Sequence, residues 1–499
     1  MSVGYEALIK HYQLDVVPNW HRSYISVEHQ THHVYKEADG SIREIYPARY
    51  RPGESVGEQL EFALKYDGVN LSILSEIFAA IDTNELLQYL RAKPTGKYAR
   101  RIWYFYEYLR QTTLPLDDLK QGNYVDLLES DRYYTLNKGD AIKRQRIRDN
   151  LLGVSDFCPI VRKTQTLKTM EAEHLDEACN NLLLEYPEDV LKRALSYLYT
   201  KETKSSFAIE HEEVSTSRSQ RFIASLKEAE KEDFCEKMRL VELQNHIVDP
   251  RFADNDYRTN QNYVGEALSV GYEKIHYIPP KPEDIQNLME GLIACNKRMQ
   301  EGGVHPIIHA TIIAYGFVFL HPFEDGNGRI HRFLIHNILA RRGFSPSGVI
   351  FPVSAVMLKD MPAYDASLEA FSHNVIALID YTLDEEGRMG VHNKTLQWYR
   401  YIDMTIQAEA LYRFVVETIK TELPQELSFL IGYDEAKQKI KDVVDMPDRL
   451  VDLFIRFVLQ NHGQLSKNKK EKYFNQLTSN ELTMMEKIVT IAFNKGKDR

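Results

Sequence analysis

The sequence predicts a mainly α-helical protein, and three observations lead to this fold class. Apolar residues recur at three-to-four spacing in the stretch Ile330, Phe333, Leu334, Ile338 and Leu339. A largely helical pattern fills residues 57–200, and a capping sequence at 478–481 precedes a further helix. The chain has 499 residues, 43% of them hydrophobic and 27% charged, which is typical of a globular protein of about two to four domains.

The first 55 residues predict a small β-containing segment. Polar and apolar residues alternate over Ser23–Tyr50, and Ala38–Ser41 has the composition of a hairpin turn. Residues 56–199 follow as a helical N-terminal region, with breaks at Pro94–Gly96 and at Tyr186–Pro187. No motif indicates what this region does.

A continuous apolar run, Ala310–Leu320, precedes the most informative part of the chain. Periodicity alone leaves it open as a buried strand or a buried helix, and it is shorter than the about 20 residues of a membrane span. His305 and His309 are four residues apart, as in a metal pair. No third ligand follows at the expected spacing, so packing is the preferred interpretation.

Residues 321–332 read HPFEDGNGRIHR and combine groups that suit a polyphosphate site. Gly326 and Gly328 allow successive backbone N–H groups to point at one anion. The helical pattern begins at once and ends before Gly343, so the loop leads into a helix N-terminus that favours anions. Arg329 and Arg332 are three apart in its first turn, and guanidinium groups match phosphate oxygens.

Two further side chains of this stretch predict chemistry rather than binding alone. Asp325 is a hard oxygen ligand, which suits Mg²⁺ that also contacts substrate phosphates. His321 titrates near neutral pH and can act as a general base. A tight helix–helix turn with a core histidine would explain one of these residues but not the whole set.

The stretch resembles the HPFx(D/E)GNGRxxR signature of the Fic family. The resemblance implies a Fic-type helical core with a β-hairpin flap, in which Ala310–Leu320 is a buried helix. It implies transfer of AMP from ATP, with Mg²⁺, to a Tyr, Thr or Ser hydroxyl of a target protein or of the enzyme itself. His321 would accept the proton, and Asp325 would hold the metal.

The same resemblance assigns each phosphate contact to particular residues. Gly326, Asn327 and Gly328 would cradle the α- and β-phosphates. Arg329 would neutralise charge on the leaving pyrophosphate, and Arg332 would grip the γ-phosphate.

A hairpin pattern at about 262–278 resembles the flap of Fic enzymes, which holds a target segment by strand addition. The residues expected to dock the target are Val264, Gly265, Ile275 and Tyr277. A proline-rich stretch ends the flap and leads into a helix over about 283–299.

Residues 203–213 resemble the inhibitory helix of one Fic class, whose pattern is (S/T)xxxE(G/N). Ser206 and Glu210 match, whereas His211 stands where Gly or Asn is expected. The resemblance implies that Glu210 pairs with Arg332 and takes the place of the ATP γ-phosphate. With this segment included, the Fic domain is predicted over 200–395.

Residues 396–499 predict a C-terminal helical domain. Asp445–Asp448 opens one helix, and Thr478–Glu481 has the spacing of a capping box before another.

Charge and composition limit the partners and the compartment. The net charge of −10 argues against nucleic acid as the main partner, and short basic runs such as Lys467–Lys472 are expected to be solvated faces. The first residues lack the pattern of a signal peptide, and no membrane partner is expected. Four widely spaced cysteines fit a reducing cytoplasm.

Several alternatives stay open at this point. In the first, the enzyme both adds and removes AMP, or mainly removes it. In the second, it transfers UMP, phosphate or phosphocholine. In the third, it is a non-catalytic protein that only binds partner strands through the flap. DNA binding by a flanking helical region and assembly into a homo-oligomer also stay open. The sequence does not identify the target, the preferred base or the signal that relieves inhibition.

Overall fold

The computed structural model describes residues 1–28, 30–269 and 272–494. Helices predominate, so the predicted mainly α fold is confirmed. The chain divides into two compact units. The first consists of Met1–Met170, Val214–Phe344 and Asp360–Tyr412, and the second of Glu171–Glu213, Ser345–Lys359 and Arg413–Arg499. The four-part division drawn from the sequence remains a prediction.

The N-terminal part of the first unit combines a three-stranded sheet with five helices. The elements are α1 (Tyr5–Tyr12), β1 (His21–Ser26), β2 (His33–Lys36), β3 (Ile42–Pro47), α2 (Val56–Phe62), α3 (Leu71–Ala80), α4 (Thr83–Ala92) and α5 (Lys97–Arg110). β2 and β3 form the predicted antiparallel hairpin, and β1 pairs with β3 in parallel. The helices share one apolar core, which includes Ile73, Ile102 and Phe105.

Residues 111–164 depart from the predicted helical run. They contain no α-helix and instead form a small sheet in the order β4-β6-β5. Its strands are β4 (Val125–Asp126), β5 (Asp140–Ile142) and β6 (Ile147–Asp149). Side chains hold much of this segment: Arg144 donates to the carbonyls of Leu114 and Leu116 at 2.7 and 2.9 Å.

Five helices connect this region to the site. They are α6 (Gln165–Glu171), α7 (Leu175–Leu184), α8 (Glu188–Ile209), α9 (Thr216–Glu228) and α10 (Lys237–Ile247). The predicted break at Tyr186–Pro187 precedes α8, which is the longest helix of this stretch with 22 residues. α8 lies within the second unit, whereas α9 and α10 lie within the first.

The site is built on a hairpin followed by three helices. These are β7 (Val264–Ser269), β8 (Tyr272–Tyr277), α11 (Pro282–Glu301), α12 (Pro306–Leu320) and α13 (Asn327–Arg341). The predicted helix near 283–299 is confirmed as α11. The apolar run is a helix and not a strand, and every residue from Ile307 to Leu320 is buried. Burial on all sides explains why the run has no polar face.

The remaining elements complete the first unit and form most of the second. They are α14 (Val353–Lys359), α15 (Met361–Ile376), β9 (Tyr381–Leu383), β10 (Met389–Val391), α16 (Leu396–Arg400), α17 (Thr405–Glu417), α18 (Leu423–Val443), α19 (Asp448–Gln460), α20 (Lys467–Tyr473) and α21 (Ser479–Asn494). The capping box before α21 is confirmed, because the Thr478 N–H donates to Glu481 and the Glu481 N–H donates to the Thr478 hydroxyl.

Within the second unit, ion pairs connect α8 to the C-terminal helices. The Lys201 ammonium pairs with Glu422 and Glu426. Glu422 also pairs with Lys359, which ends α14. α8 therefore folds with the C-terminal helices.

Among the residues that the structure describes, no helix has both the length and the apolar character needed to cross a bilayer.

Candidate active site

His321 lies at the C-terminal end of α12 in a left-handed conformation, with φ of 50° and ψ of 56°. Its N–H closes the last turn on the Phe317 carbonyl at 2.9 Å. The imidazole Nδ1 is 3.1 Å from the Val318 carbonyl oxygen. Because a carbonyl only accepts hydrogen bonds, Nδ1 carries a proton, and in the neutral imidazole Nε2 therefore carries the lone pair. His321 is thus in the tautomer that a general base at Nε2 requires.

The loop after His321 is closed by the side chain of Asn327. Its Oδ1 accepts the Phe323 N–H at 3.1 Å, and its Nδ2 donates to the Phe323 carbonyl at 2.7 Å. The carboxamide is buried and engaged at both ends. The resemblance suggested a phosphate contact for Asn327. The side chain holds the loop, and the backbone N–H of Asn327 lies in the first turn of α13, where it suits such a contact.

Gly326 provides the start of α13. It is the N-cap residue, with φ of 91° and ψ of −2°, a conformation that side chains rarely adopt. As glycine it has no side chain to cover the first N–H groups of the helix. Gly328 is the second residue of α13, so both predicted glycines lie at the helix N-terminus. The positive end of the helix dipole lies here and favours an anion.

Asp325 and Arg329 form an ion pair at this N-terminus. Arg329 Nη2 is 2.6 Å from Asp325 Oδ1, which also accepts the Gly326 N–H at 2.5 Å. The Arg329 side chain is 2% exposed and that of Asp325 is 48% exposed. The guanidinium is therefore fixed beneath the loop, while the carboxylate reaches the surface.

The residues present fit a magnesium ion held together with substrate phosphates. The structure describes no group of three metal-ligating side chains. Mg²⁺ with a nucleotide needs only one or two protein carboxylates, because phosphates and water supply its other ligands. Asp325 offers one such half-exposed carboxylate beside the anion-binding helix N-terminus.

Arg332 is buried one turn further along α13, with 1% of its surface exposed. Its Nη1 donates to the Tyr364 hydroxyl at 3.2 Å, so α15 helps to fix the guanidinium. Sequence reasoning did not identify Tyr364, which lies 32 residues from Arg332 and outside the motif.

Two buried side chains upstream of the motif also hold the loop, and sequence reasoning missed both. Gln244 is fully buried and donates to the carbonyl of Asp325 at 3.4 Å and to Asp254 Oδ2 at 3.1 Å. Asp254 Oδ2 in turn accepts the Glu324 N–H at 3.3 Å. Burial raises the pKa of the Asp254 and Glu324 carboxyls. The second residue is Arg258, which donates to the His321 carbonyl at 2.8 Å.

The predicted flap is the antiparallel hairpin of β7 and β8. Val264 pairs with Tyr277 and Gly265 with Ile275, with an irregularity between the two pairs. Val264 is 40% exposed and Ile275 is half-buried. Tyr277 differs from the expectation that it docks a target. It is buried, and its hydroxyl donates to the Phe319 carbonyl, so it anchors the flap to α12.

The predicted inhibitory segment forms the C-terminal end of α8 in the second unit. Ser206 is buried in the helix, and Glu210 is its C-cap. The N–H groups of His211 and Glu212 donate to the carbonyls of Ala208 and Phe207, at 3.0 and 3.1 Å. This is a Schellman ending with His211 at φ of 56°. The Gly or Asn of the family pattern is thereby explained, since these residues adopt that conformation most readily.

His305 and His309 serve the structure and do not form a metal pair. His305 caps α12 by accepting the Ile307 N–H at 3.3 Å. His309 is buried with Nε2 at 2.8 Å from Asn296 Oδ1. Burial is the main cause that lowers the pKa of His309 to about 3, with the charges of Arg342 and Arg341 adding to it.

The geometry defines a class of site: two packed helices, α12 and α13, are joined by a short loop that places His321 beside the glycine-capped N-terminus of α13. Residues 234–339 match the model of the Fic/DOC family. This part of the chain is a Fic domain.

Curated relatives match about a quarter of the chain. The protein adenylyltransferase Fic of Drosophila mojavensis is 35% identical over 116 residues, which is 23% of this chain and 20% of that protein. Its namesake in Drosophila melanogaster is 34% identical over 116 residues, or 23% and 21%. The chain thus spans about a fifth of the length of these relatives.

Solved structures of two bacterial proteins are also similar. A Fic family protein from Desulfovibrio desulfuricans is 18% identical, with a TM-score of 0.37, and the match covers 64% of this chain and 84% of that one. A Fic domain-containing signalling protein from Bacteroides thetaiotaomicron is 18% identical, with a TM-score of 0.35, and the match covers 54% and 97%.

Proposed function

We propose that the protein is a protein adenylyltransferase that moves AMP from ATP to a hydroxyl side chain of a target protein. The tautomer of His321 carries the proposal most directly. Its Nδ1–H is committed to the Val318 carbonyl, so Nε2 is the acceptor. The same short loop ends at the glycine-capped N-terminus of α13. The names of the curated relatives point to the same activity.

In the proposed reaction, Nε2 of His321 takes the proton of the target Tyr, Thr or Ser hydroxyl. The hydroxyl oxygen attacks the α-phosphorus of ATP and forms a phosphodiester bond to AMP. The bond from the α-phosphorus to the bridging oxygen breaks, and pyrophosphate leaves with the electron pair. A positioned base contributes about 10²–10⁴-fold to such a rate.

The first turn of α13 supports the phosphates. Backbone N–H groups from Asn327 onward and the helix dipole favour their negative charge. Arg329 is held in place by Asp325 and can neutralise charge on the leaving group without reorganising. Mg²⁺, held by Asp325 together with phosphate oxygens, would supply further charge neutralisation.

The flap is proposed to hold the target. Strand addition to an exposed hairpin edge places a segment through main-chain hydrogen bonds and makes little demand on its sequence. Val264 is exposed on β7, and Tyr277 anchors β8 below it. Target choice would then depend on contacts outside the flap.

Autoinhibition by Glu210 is part of the proposal and rests on the resemblance of 203–213 to an inhibitory helix. A carboxylate that occupies the γ-phosphate position at Arg332 would compete with ATP. Ser206 would support that helix from its buried position. Removal of Glu210 should therefore raise the rate of transfer.

The test uses ATP labelled on the α-phosphate, Mg²⁺, purified protein and a cell lysate. Wild type, Glu210→Gly and His321→Ala are compared with two controls, Glu213→Gly and His373→Ala. The controls remove the same residue types at nearby or exposed positions. Label on the protein itself or on a lysate band should be stronger in Glu210→Gly, absent in His321→Ala and unchanged in the controls.

His321→Ala should bind ATP within about twofold of wild type, because the base is not a phosphate ligand. Transfer at full rate by His321→Ala would refute the base. An unchanged rate in Glu210→Gly would refute autoinhibition and leave the transferase proposal standing.

A further inference from the structure

Arg258 is a buried arginine that touches both the flap and the loop of the base. Its side chain is nearly inaccessible, with 5% of the residue exposed. Nε donates to the His321 carbonyl at 2.8 Å, and Nη2 donates to the Pro280 carbonyl, just beyond β8, at 2.6 Å. Nη1 donates to the Asn260 carbonyl, just before β7, at 2.8 Å.

The backbone of the same residue adds a fourth bond, from the Arg258 N–H to the Pro322 carbonyl at 2.8 Å. Two neighbouring side chains connect the same segments. Asn262 Nδ2 donates to the Phe323 carbonyl at 3.1 Å, and Gln261 Nε2 donates to the Pro279 carbonyl at 3.0 Å. Both ends of the hairpin and the first residues of the loop therefore form one hydrogen-bonded body, with the Arg258 guanidinium at its centre.

A buried cation is expensive unless its donors are used. Burial is the main cause that lowers the pKa of Arg258, to about 10. Within the described part of the chain, no carboxylate comes within 4 Å of the guanidinium, and its partners are neutral carbonyls. Such a costly placement needs a structural reason. Two of the carbonyls that the guanidinium bonds belong to the segments on either side of the flap, and the third belongs to His321.

We infer that Arg258 is the positioning residue that sets the distance between the target-holding flap and Nε2 of His321. The inference rests on the proposed function. A target strand added to β7 takes its position from the two ends of the hairpin. The imidazole takes its position from the backbone of His321. Arg258 contacts neither ATP nor target in this account, so its effect is on alignment.

Misalignment by about 1 Å can lower a rate about 100-fold. Arg258→Met keeps an unbranched side chain that fills part of the buried space and removes the three donor nitrogens. We expect kcat for transfer of α-labelled AMP to the lysate protein labelled by the parent to fall about 100-fold. The Kd for ATP with Mg²⁺ should stay within about twofold, because the phosphate site is on α13. The parent is wild type or Glu210→Gly, whichever transfers faster.

Arg251→Met is the matched control. Arg251 lies seven residues earlier, its side chain is 79% exposed, and it forms an ion pair with Asp249. Its kcat and Kd should equal those of the parent. Arg258→Lys keeps the charge and can serve only part of the three carbonyls, so its kcat should lie between those of the parent and Arg258→Met.

Two results would overturn the inference: a kcat of Arg258→Met within about threefold of the parent, or a parallel loss of ATP binding and kcat in both Arg258 variants. A parent that transfers no AMP would instead refute the proposed function. If both variants fail to fold, hydrogen exchange of the backbone amides of the parent tests the inference instead. The amides of 258–262, His321 and Phe323 should then exchange at one common rate, and independent rates would reject the inference.

Discussion

Replacing Gly326 by alanine tests how the start of α13 is built. Gly326 has φ of 91°, where a Cβ costs about 1–2 kcal/mol. The added Cβ would lie 3.2 Å from Cγ1 of the buried Val248, which adds about 1 kcal/mol of crowding. Alanine also reduces the conformational entropy of the unfolded chain, which offsets about 0.4–1 kcal/mol of this destabilisation. We therefore expect Gly326→Ala to lower the free energy of unfolding by about 2 kcal/mol.

Gly343→Ala is the control for this prediction. Gly343 has φ of 66°, and no described atom lies within 4 Å of the Cβ that alanine would add. It should cost about 1 kcal/mol, from backbone strain alone. The assay is urea unfolding of both variants, together with ATP binding, which should fall about tenfold or more only in Gly326→Ala. Equal stability and equal ATP affinity in the two variants would refute the description of the loop.

Two further predictions concern histidines away from the reaction. His309 has a pKa of about 3 in the folded protein and an ordinary one of about 6.5, so its neutral form stabilises the fold above pH 6.5. The free energy of unfolding should fall as pH falls from 6.5 toward 3, by about 2 kcal/mol at pH 5. Urea unfolding of His309→Gln should show a weaker pH dependence in that range. His211→Gly should stabilise the second unit by about 1 kcal/mol in thermal unfolding, because it relieves the positive φ; destabilisation would contradict the Schellman ending of α8.

The site could be predicted to the extent that it is local in sequence. His321, Asp325, the glycine turn and the start of α13 all fall within 321–332, so their spacing alone places them together. Arg258 and Gln244 reach the loop from 63 and 81 residues away. Nothing in their own neighbourhood distinguishes them from ordinary polar residues, which is why sequence reasoning missed them.

Errors in the fold have the same origin. Residues 111–164 were expected to be helical, but strands of two or three residues are too short to display an alternating pattern. Buried pairs such as Leu127–Leu128 and Leu151–Leu152 carry no period that excludes a helix. The family signature gave no sign that the carboxamide of Asn327 closes the loop on Phe323, and the phosphate contact expected of Asn327 remains a prediction. The bond from the Tyr277 hydroxyl to the Phe319 carbonyl joins residues 42 positions apart, so nothing in the sequence indicated that this side chain anchors the flap.

The most direct test of the central claim is to determine which phosphorus atom of ATP reaches the target. Two parallel reactions use ATP labelled at the α-phosphate or at the γ-phosphate, with Mg²⁺ and the Glu210→Gly variant. The account predicts α-label on the target, γ-label released with pyrophosphate, and neither on the target when His321 is alanine. Label from the γ-phosphate on the target, with none from the α-phosphate, would contradict it.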